Sequence, residues 1–176
     1  MRVSRLSDEV LVADQDPVTL SAGEVATLKE QAASTERGRV RVCAHTGSED
    51  TLHEMVIVLD RATYVRPHRH PGKSESFHAI EGAADIVLFD EQGEIEDVIA
   101  MGDYASGRVF FYRLNSARFH TVLVRTDRFV VHETTNGPFD RSETVEAAWA
   151  PAEEDLEGRA EYLRELDRRL GAAPSR

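Results

Sequence analysis

From Arg39 to Asn136 apolar and polar residues alternate, and only towards the two ends does the period lengthen. RVRVCAH, LHEMVIVLD, ATYVRPHRH, ESFHAIEG and AADIVLF each read as a short strand. EIEDVIAM, RVFFYRL, SARFHTVLVRT and RFVVHETT continue the series, with DEQG at 90–93 as a tight turn and NGPFD at 136–140 as its end. Many short strands separated by turn signals predict an all-β sandwich or small barrel. Strands do not alternate with helices, which argues against a parallel α/β sheet. Residues 1–20 allow one short strand. After it, Ser21 and Glu24 form a capping-box pattern, and Val25, Leu28 and Ala32 recur at helical spacing, so a short helix is expected over about 22–33. A second helix is expected from about Glu153 to Leu170. Leu156, Ala160, Leu163, Leu166 and Leu170 form its apolar stripe, which would pack on the barrel or on a second subunit. The organisation expected is one domain over 1–176: an N-terminal extension with the short helix (1–38), a β-barrel core (39–140) and a C-terminal helical segment (150–171).

The bulk numbers narrow this little. The 176 residues are 41% hydrophobic and 30% charged, ordinary for a globular chain of this length. A net charge of −11 with no isolated basic patch argues against nucleic acid as a partner. No apolar run is long enough for a membrane span, and MRVSRLSDEV has no signal-peptide core, so a cytoplasmic location is expected. The single cysteine, Cys43, rules out an internal disulfide and reads as a buried, inert thiol between Val42 and Ala44.

The chemistry concentrates in RPHRHPGKSESFHAIEG, residues 66–82. His68 and His70 are two apart on a strand, so both can face the barrel interior. Pro71-Gly72 breaks that strand, and Glu75 can return to the same site from the next one. Two imidazoles and a carboxylate make most of a metal site. His120, in the apolar strand SARFHTVLV, is the best further ligand, with Phe119 and Thr121 on the opposite face. His45, His53, His78 and His132 are weaker candidates. An HxH alone arises by chance, and a buried histidine is usually a hydrogen-bonded core residue. The combination with a carboxylate, which is costly to bury without a cation, favours the metal.

HRHPGKSESFHAIEG resembles the first motif of the cupins: HxH, four residues, Glu, six residues, Gly. The resemblance implies a double-stranded β-helix (jelly-roll) barrel with His68, His70 and Glu75 as ligands, and His120 as the histidine of the second motif. Asn115-Ser116-Ala117 stand where that second motif usually carries proline and glycine. HEMVIVL, YVRPHRH, KSESFHAIEG, VLFDEQG and HETTNGPF, within about residues 39–140, resemble more closely the small WbuC-type cupin metalloproteins of sugar-related gene clusters. The terminal helices fall outside the matched part.

These readings imply one divalent ion, with zinc, iron, manganese and nickel as candidates. Strand parity would put Tyr64 and Arg66 on the face of His68 and His70, and Arg118 on the face of His120. Tyr64 is then a candidate proton carrier, and Arg66 and Arg118 candidates for holding an anion. Lys73 reads as solvated, and Glu133, beside His132, as a solvent or core residue. The wall would carry either Tyr112 with Phe110, or Phe111 with Arg113. The leading expectation is a metal-dependent isomerase, epimerase or lyase acting on a small polar, anionic or carbohydrate-like substrate. The alternatives are a non-heme iron dioxygenase and a non-catalytic small-molecule binder. Cupins commonly pair through edge strands, so a homodimer is expected.

Overall fold

The computed structural model describes residues 1–172. Strands β1 (Val3–Arg5), β2 (Val10–Ala13), β3 (Arg39–Cys43), β4 (Leu52–Asp60), β5 (His68–Arg69) and β6 (Glu75–Glu81) come first. They are followed by β7 (Ala83–Phe89), β8 (Ile95–Gly102), β9 (Phe111–Leu114), β10 (Phe119–Val124), β11 (Arg128–Asn136) and β12 (Val145–Glu146). The helices are α1 (Ala22–Ser34) and α2 (Leu156–Ala172). One sheet runs β1-β2-β3-β4-β11-β6-β9 and the other β12-β5-β10-β7-β8. Strand pairs are antiparallel except β2 with β3. Two facing sheets of this kind form the jelly-roll barrel of the cupin fold.

The strands alternate, yet several are apolar on both faces, because a helix covers the outer face of each sheet. Val122 and Val124 of β10 join Phe77, Ile86, Leu88, Phe129 and Val131 between the sheets. The intervening Phe119 and Leu123 point outward, where α2 sets Leu163, Leu166 and Leu170 against them and against Val87 and Phe89. On the other side α1 buries Val25, Leu28 and Ala32 against Val40, Val42, Val58 and Val130. Inner and outer clusters together remove apolar surface on both sides of each sheet, at roughly 25 cal/mol per Å².

The local signals explain the boundaries. Ser21 N–H donates to Glu24 Oε2 at 2.7 Å and Glu24 N–H donates to Ser21 Oγ at 3.4 Å, the reciprocal capping box that starts α1. The N-terminal segment holds two strands rather than one, because Ser7 turns the chain: its Oγ accepts from Val10 N–H at 3.1 Å. Helix α2 begins at Leu156, later than the periodicity suggests. Asp155 serves as its cap, with Oδ1 accepting from Gly158 N–H and the carbonyl from Arg159 N–H, both at 2.9 Å. Leu156 is therefore exposed, and the packed stripe starts at Tyr162. Cys43 is buried, and burial pushes its thiol pKa up. No helix among the described residues is long and apolar enough to cross a membrane.

Candidate metal centre

Strand β5 is only two residues long, because Pro67 precedes it and Pro71-Gly72 follows. That is enough to set His68 directly opposite His120 of β10. The chain then turns at Gly72, which has a φ of 82°, and re-enters the first sheet at Glu75. Glu75 lies between Thr135 of β11 and Leu114 of β9. The two sheets thereby aim four side chains at one point. His68, His70, Glu75 and His120 each offer one ligand atom, and these atoms all lie within 4.8 Å of one another. The ring centroids of His68 are 4.8 Å from His70 and 4.6 Å from His120. Glu75 reaches His120 Nε2 at 3.3 Å through Oε1 and His70 Nε2 at 3.7 Å through Oε2.

Backbone carbonyls orient the rings. His68 Nδ1 lies 2.8 Å from the Arg66 carbonyl, and His120 Nδ1 lies 3.0 Å from the Arg118 carbonyl. A carbonyl only accepts, so each Nδ1 carries the hydrogen and each Nε2 faces the cluster, as in metal-binding histidines. His120 Nε2 is fully buried and, despite the nearby Glu75, has no hydrogen bond of acceptable geometry. Tyr112 O–H donates to Glu75 Oε1 at 2.8 Å. Thr144 Oγ1 lies 3.3 Å from His70 Nδ1. Convergent nitrogen lone pairs, one carboxylate and an unsatisfied buried nitrogen fit a divalent cation of the zinc, iron, manganese or nickel kind.

Burial draws the His68 pKa down to about 3, reinforced by the neighbouring His120. Burial also lowers His70. For His120 burial acts downward, but the Glu75 charge outweighs it and raises the pKa. Glu75 stays below the usual carboxylate range: burial pushes it up, but the attraction of His120 and the hydrogen bond from Tyr112 pull it down further.

A pH dependence follows. Between about 6.5 and 3 the unfolded chain takes up a proton that folded His68 refuses, so chelator-treated protein should lose stability as pH falls through that window. His70 acts in the same sense, and Glu75 extends the loss to lower pH. His120, with its raised value, opposes them as a single group. Calorimetric melting temperatures should fall with acidification, and less steeply in His68→Asn; equal slopes would refute the assignment.

Three expected site residues are not brought to the cluster. Tyr64 O–H donates to the Pro151 carbonyl at 2.8 Å, and its ring meets Tyr162 edge-on. It lines a hollow of about 150 Å³ with Thr35, Gly38, Asp60 and Arg159, which none of the four cluster residues lines. Arg66 is ion-paired with Glu146 and also donates to the Ala147 carbonyl at 3.0 Å. Arg118 pairs with Glu96 at 2.7 Å. Strand parity does not reach these positions: residues 61–67 are not strand, and β10 starts at Phe119. Among the weaker histidines, His45 and His53 stack together with centroids 4.0 Å apart. His78 is exposed against Phe110, and His132 lies 3.7 Å from Glu54.

Other contributors emerge only with the register. Tyr112 faces inward, while Phe110 and Phe111 are exposed. Asn136 Oδ1 accepts from both Ser74 N–H and Ser74 Oγ–H at 3.0 Å, and Lys73 donates to the Pro138 carbonyl at 2.8 Å. The NGP segment thus holds the turn between His70 and Glu75, and Lys73 is a tether rather than a solvated side chain. Glu133 shares the inner face of β11 with Phe129 and Val131, one pairing step from Glu75. Burial, and then the Glu75 charge, push its pKa up.

Fold and site together define a cupin-type barrel with a cluster that could hold a metal ion. A family model described as a domain of unknown function, DUF6016, matches residues 20–101, a stretch that includes His68, His70 and Glu75 but not His120. A search of the curated proteins finds no match. Among solved structures, protein SO0799 from Shewanella oneidensis is similar at 13% identity and a TM-score of 0.55, over 80% of this chain and 90% of that one. A variant of Bacillus subtilis oxalate decarboxylase aligns at 18% identity and a TM-score of 0.45, over 55% of this chain and 24% of that one. The Lactobacillus farciminis oxalate decarboxylase formate complex aligns at 13% identity and a TM-score of 0.44, over 55% and 27%. The chain thus spans about a quarter of the decarboxylases' length, and likeness at that level bears on neither substrate nor reaction.

Proposed function

We propose that the chain is a WbuC-type cupin metalloprotein that binds one divalent cation through His68, His70, Glu75 and His120 and moves a proton on a small, carbohydrate-like substrate, as an isomerase, epimerase or lyase. The carrying observation is the convergence of four ligand atoms within 4.8 Å around a buried, unpartnered His120 Nε2. A bound cation would supply Lewis acidity at a substrate carbonyl or hydroxyl, or dioxygen chemistry if it were iron. The chain's own residues do the rest. The carbonyls of Arg66 and Arg118 hold two imidazoles in the liganding tautomer. Tyr112 fixes Glu75 by its hydrogen bond, and the side chain of His70, 21% exposed, marks the open side for a ligand. An anionic substrate loses its support, since Arg66 and Arg118 are engaged by Glu146 and Glu96.

The test begins with metal analysis of freshly purified protein. It continues with small hydroxy-carbonyl compounds in D₂O under strict anaerobiosis, followed by proton NMR. Replacement of carbon-bound hydrogen by deuterium without dioxygen is the expected result. Dioxygen uptake by the ferrous protein would favour the dioxygenase, and ligand-dependent melting without any product would favour the binder.

A further inference from the structure

In-register pairing across the first sheet places interior side chains in rows. Glu75 pairs with Thr135 and Thr135 with His53; one step further along the strands, Phe77 pairs with Glu133 and Glu133 with Met55. Cys43 pairs with Met55 and Tyr112 with Phe77, completing the second row. Cross-strand neighbours share a face, and diagonal neighbours stand about 7–8 Å apart at Cα, within reach of long side chains. Glu133 is the diagonal neighbour of Glu75 on that face, and the charges of Glu75, Arg41 and His120 all act on it.

Its surroundings are unusual for a carboxyl group. Its cross-strand partners are Met55 and Phe77, both buried. No described side chain or backbone group hydrogen-bonds to it, whereas Glu75 accepts from Tyr112. It is half-buried rather than sealed, so part of it remains accessible to solvent. It lies outside the set of four converging ligand atoms. A carboxyl group set between apolar neighbours without a hydrogen-bonding partner is costly unless a ligand pairs with it.

We propose that Glu133 is a substrate-contacting residue that pairs with a hydroxyl group of the ligand held at the cluster; this rests on the metal-centre reading above. The ligand class follows from hydrogen-bond capacity. An ionised carboxyl only accepts, and a protonated one both donates and accepts. An ammonium group suits only the first state and an anion only the second. A hydroxyl group satisfies both, so the interior wall selects a hydroxylated ligand in either protonation state of Glu133.

The test uses full-length Co²⁺-loaded protein and two probes, acetate and glycolate, which differ by one hydroxyl group. Affinities are read from the visible absorption of the cobalt. In Glu133→Leu the ratio of glycolate to acetate affinity is expected to fall about tenfold, with cobalt content unchanged. Glu133→Gln, similar in size and still able to hydrogen-bond, should keep most of the ratio and guards against a folding defect in the leucine variant. A ratio in Glu133→Leu within about twofold of wild type overturns the proposal, as does wild-type protein that responds to neither probe. Loss of cobalt from Glu133→Gln also overturns it, because Glu133 would then be a ligand. Wild-type protein that takes up no cobalt removes the metal-centre reading itself.

Discussion

Replacing His120 with alanine is expected to lower divalent-metal affinity more than a hundredfold, beyond the ~10–100-fold typical of residues that only orient a ligand. Three features give His120 this weight. It is 2% exposed, so no water stands in easily for its nitrogen. Its Nδ1 hydrogen is committed to the Arg118 carbonyl, so Nε2 is the only nitrogen it can offer. It is also, with His68, one of the two ligands that the second sheet contributes through the β5–β10 pairing. Metal content after dialysis and a competitive chelator titration would measure the loss. Thr121→Val provides a control on the same strand, because its side chain points away and donates to the Val65 carbonyl. His120→Ala protein that retained wild-type affinity would reduce the centre to His68, His70 and Glu75.

How much of this was legible beforehand depends on whether an inference stayed inside one strand. His68 and His70 were readable from parity, and Glu75 from the Pro71-Gly72 break, because a period of two holds over so short a distance. Across Pro67 the same parity misplaced Tyr64 and Arg66, since residues 61–67 form no strand. Arg118 failed for the matching reason, one residue before β10 begins. Glu133 was not assignable from sequence, because its face depends on how β11 pairs with β4 and β6. A slip of one residue would exchange it with His132. The tether from Asn136 to Ser74 joins residues 62 positions apart and has no local signature at all. The helices were visible as periods, but their ends follow caps such as Asp155, whose role shows only in its hydrogen bonds.

Gly82→Ala should be strongly destabilising, although it adds only one methyl group. This residue closes the HxH…Glu…Gly pattern and stands at the corner where the chain leaves β6 in the first sheet and enters β7 in the second. Its φ of 80° lies in the left-handed region, which penalises any β-carbon. An added Cβ would also stand 2.2 Å from the Arg128 carbonyl oxygen and 2.6 Å from Thr126 Oγ1. The threonine could rotate, but the carbonyl belongs to β11, where Arg128 pairs with Asp60 of β4, so it can withdraw only if that end of the strand shifts. Strain and clash together should cost about 3 kcal/mol or more, a fall of roughly 6–12 °C in melting temperature for a chain of this size. Gly72 separates the two terms. It has nearly the same φ, 82°, yet nothing lies within 4 Å of its would-be Cβ. Gly72→Ala should therefore show only the backbone penalty of about 1 kcal/mol. Equal melting temperatures for the two variants would mean that the close approach of β11 to the corner does not exist, and with it the tight switch between sheets that carries the chain away from Glu75.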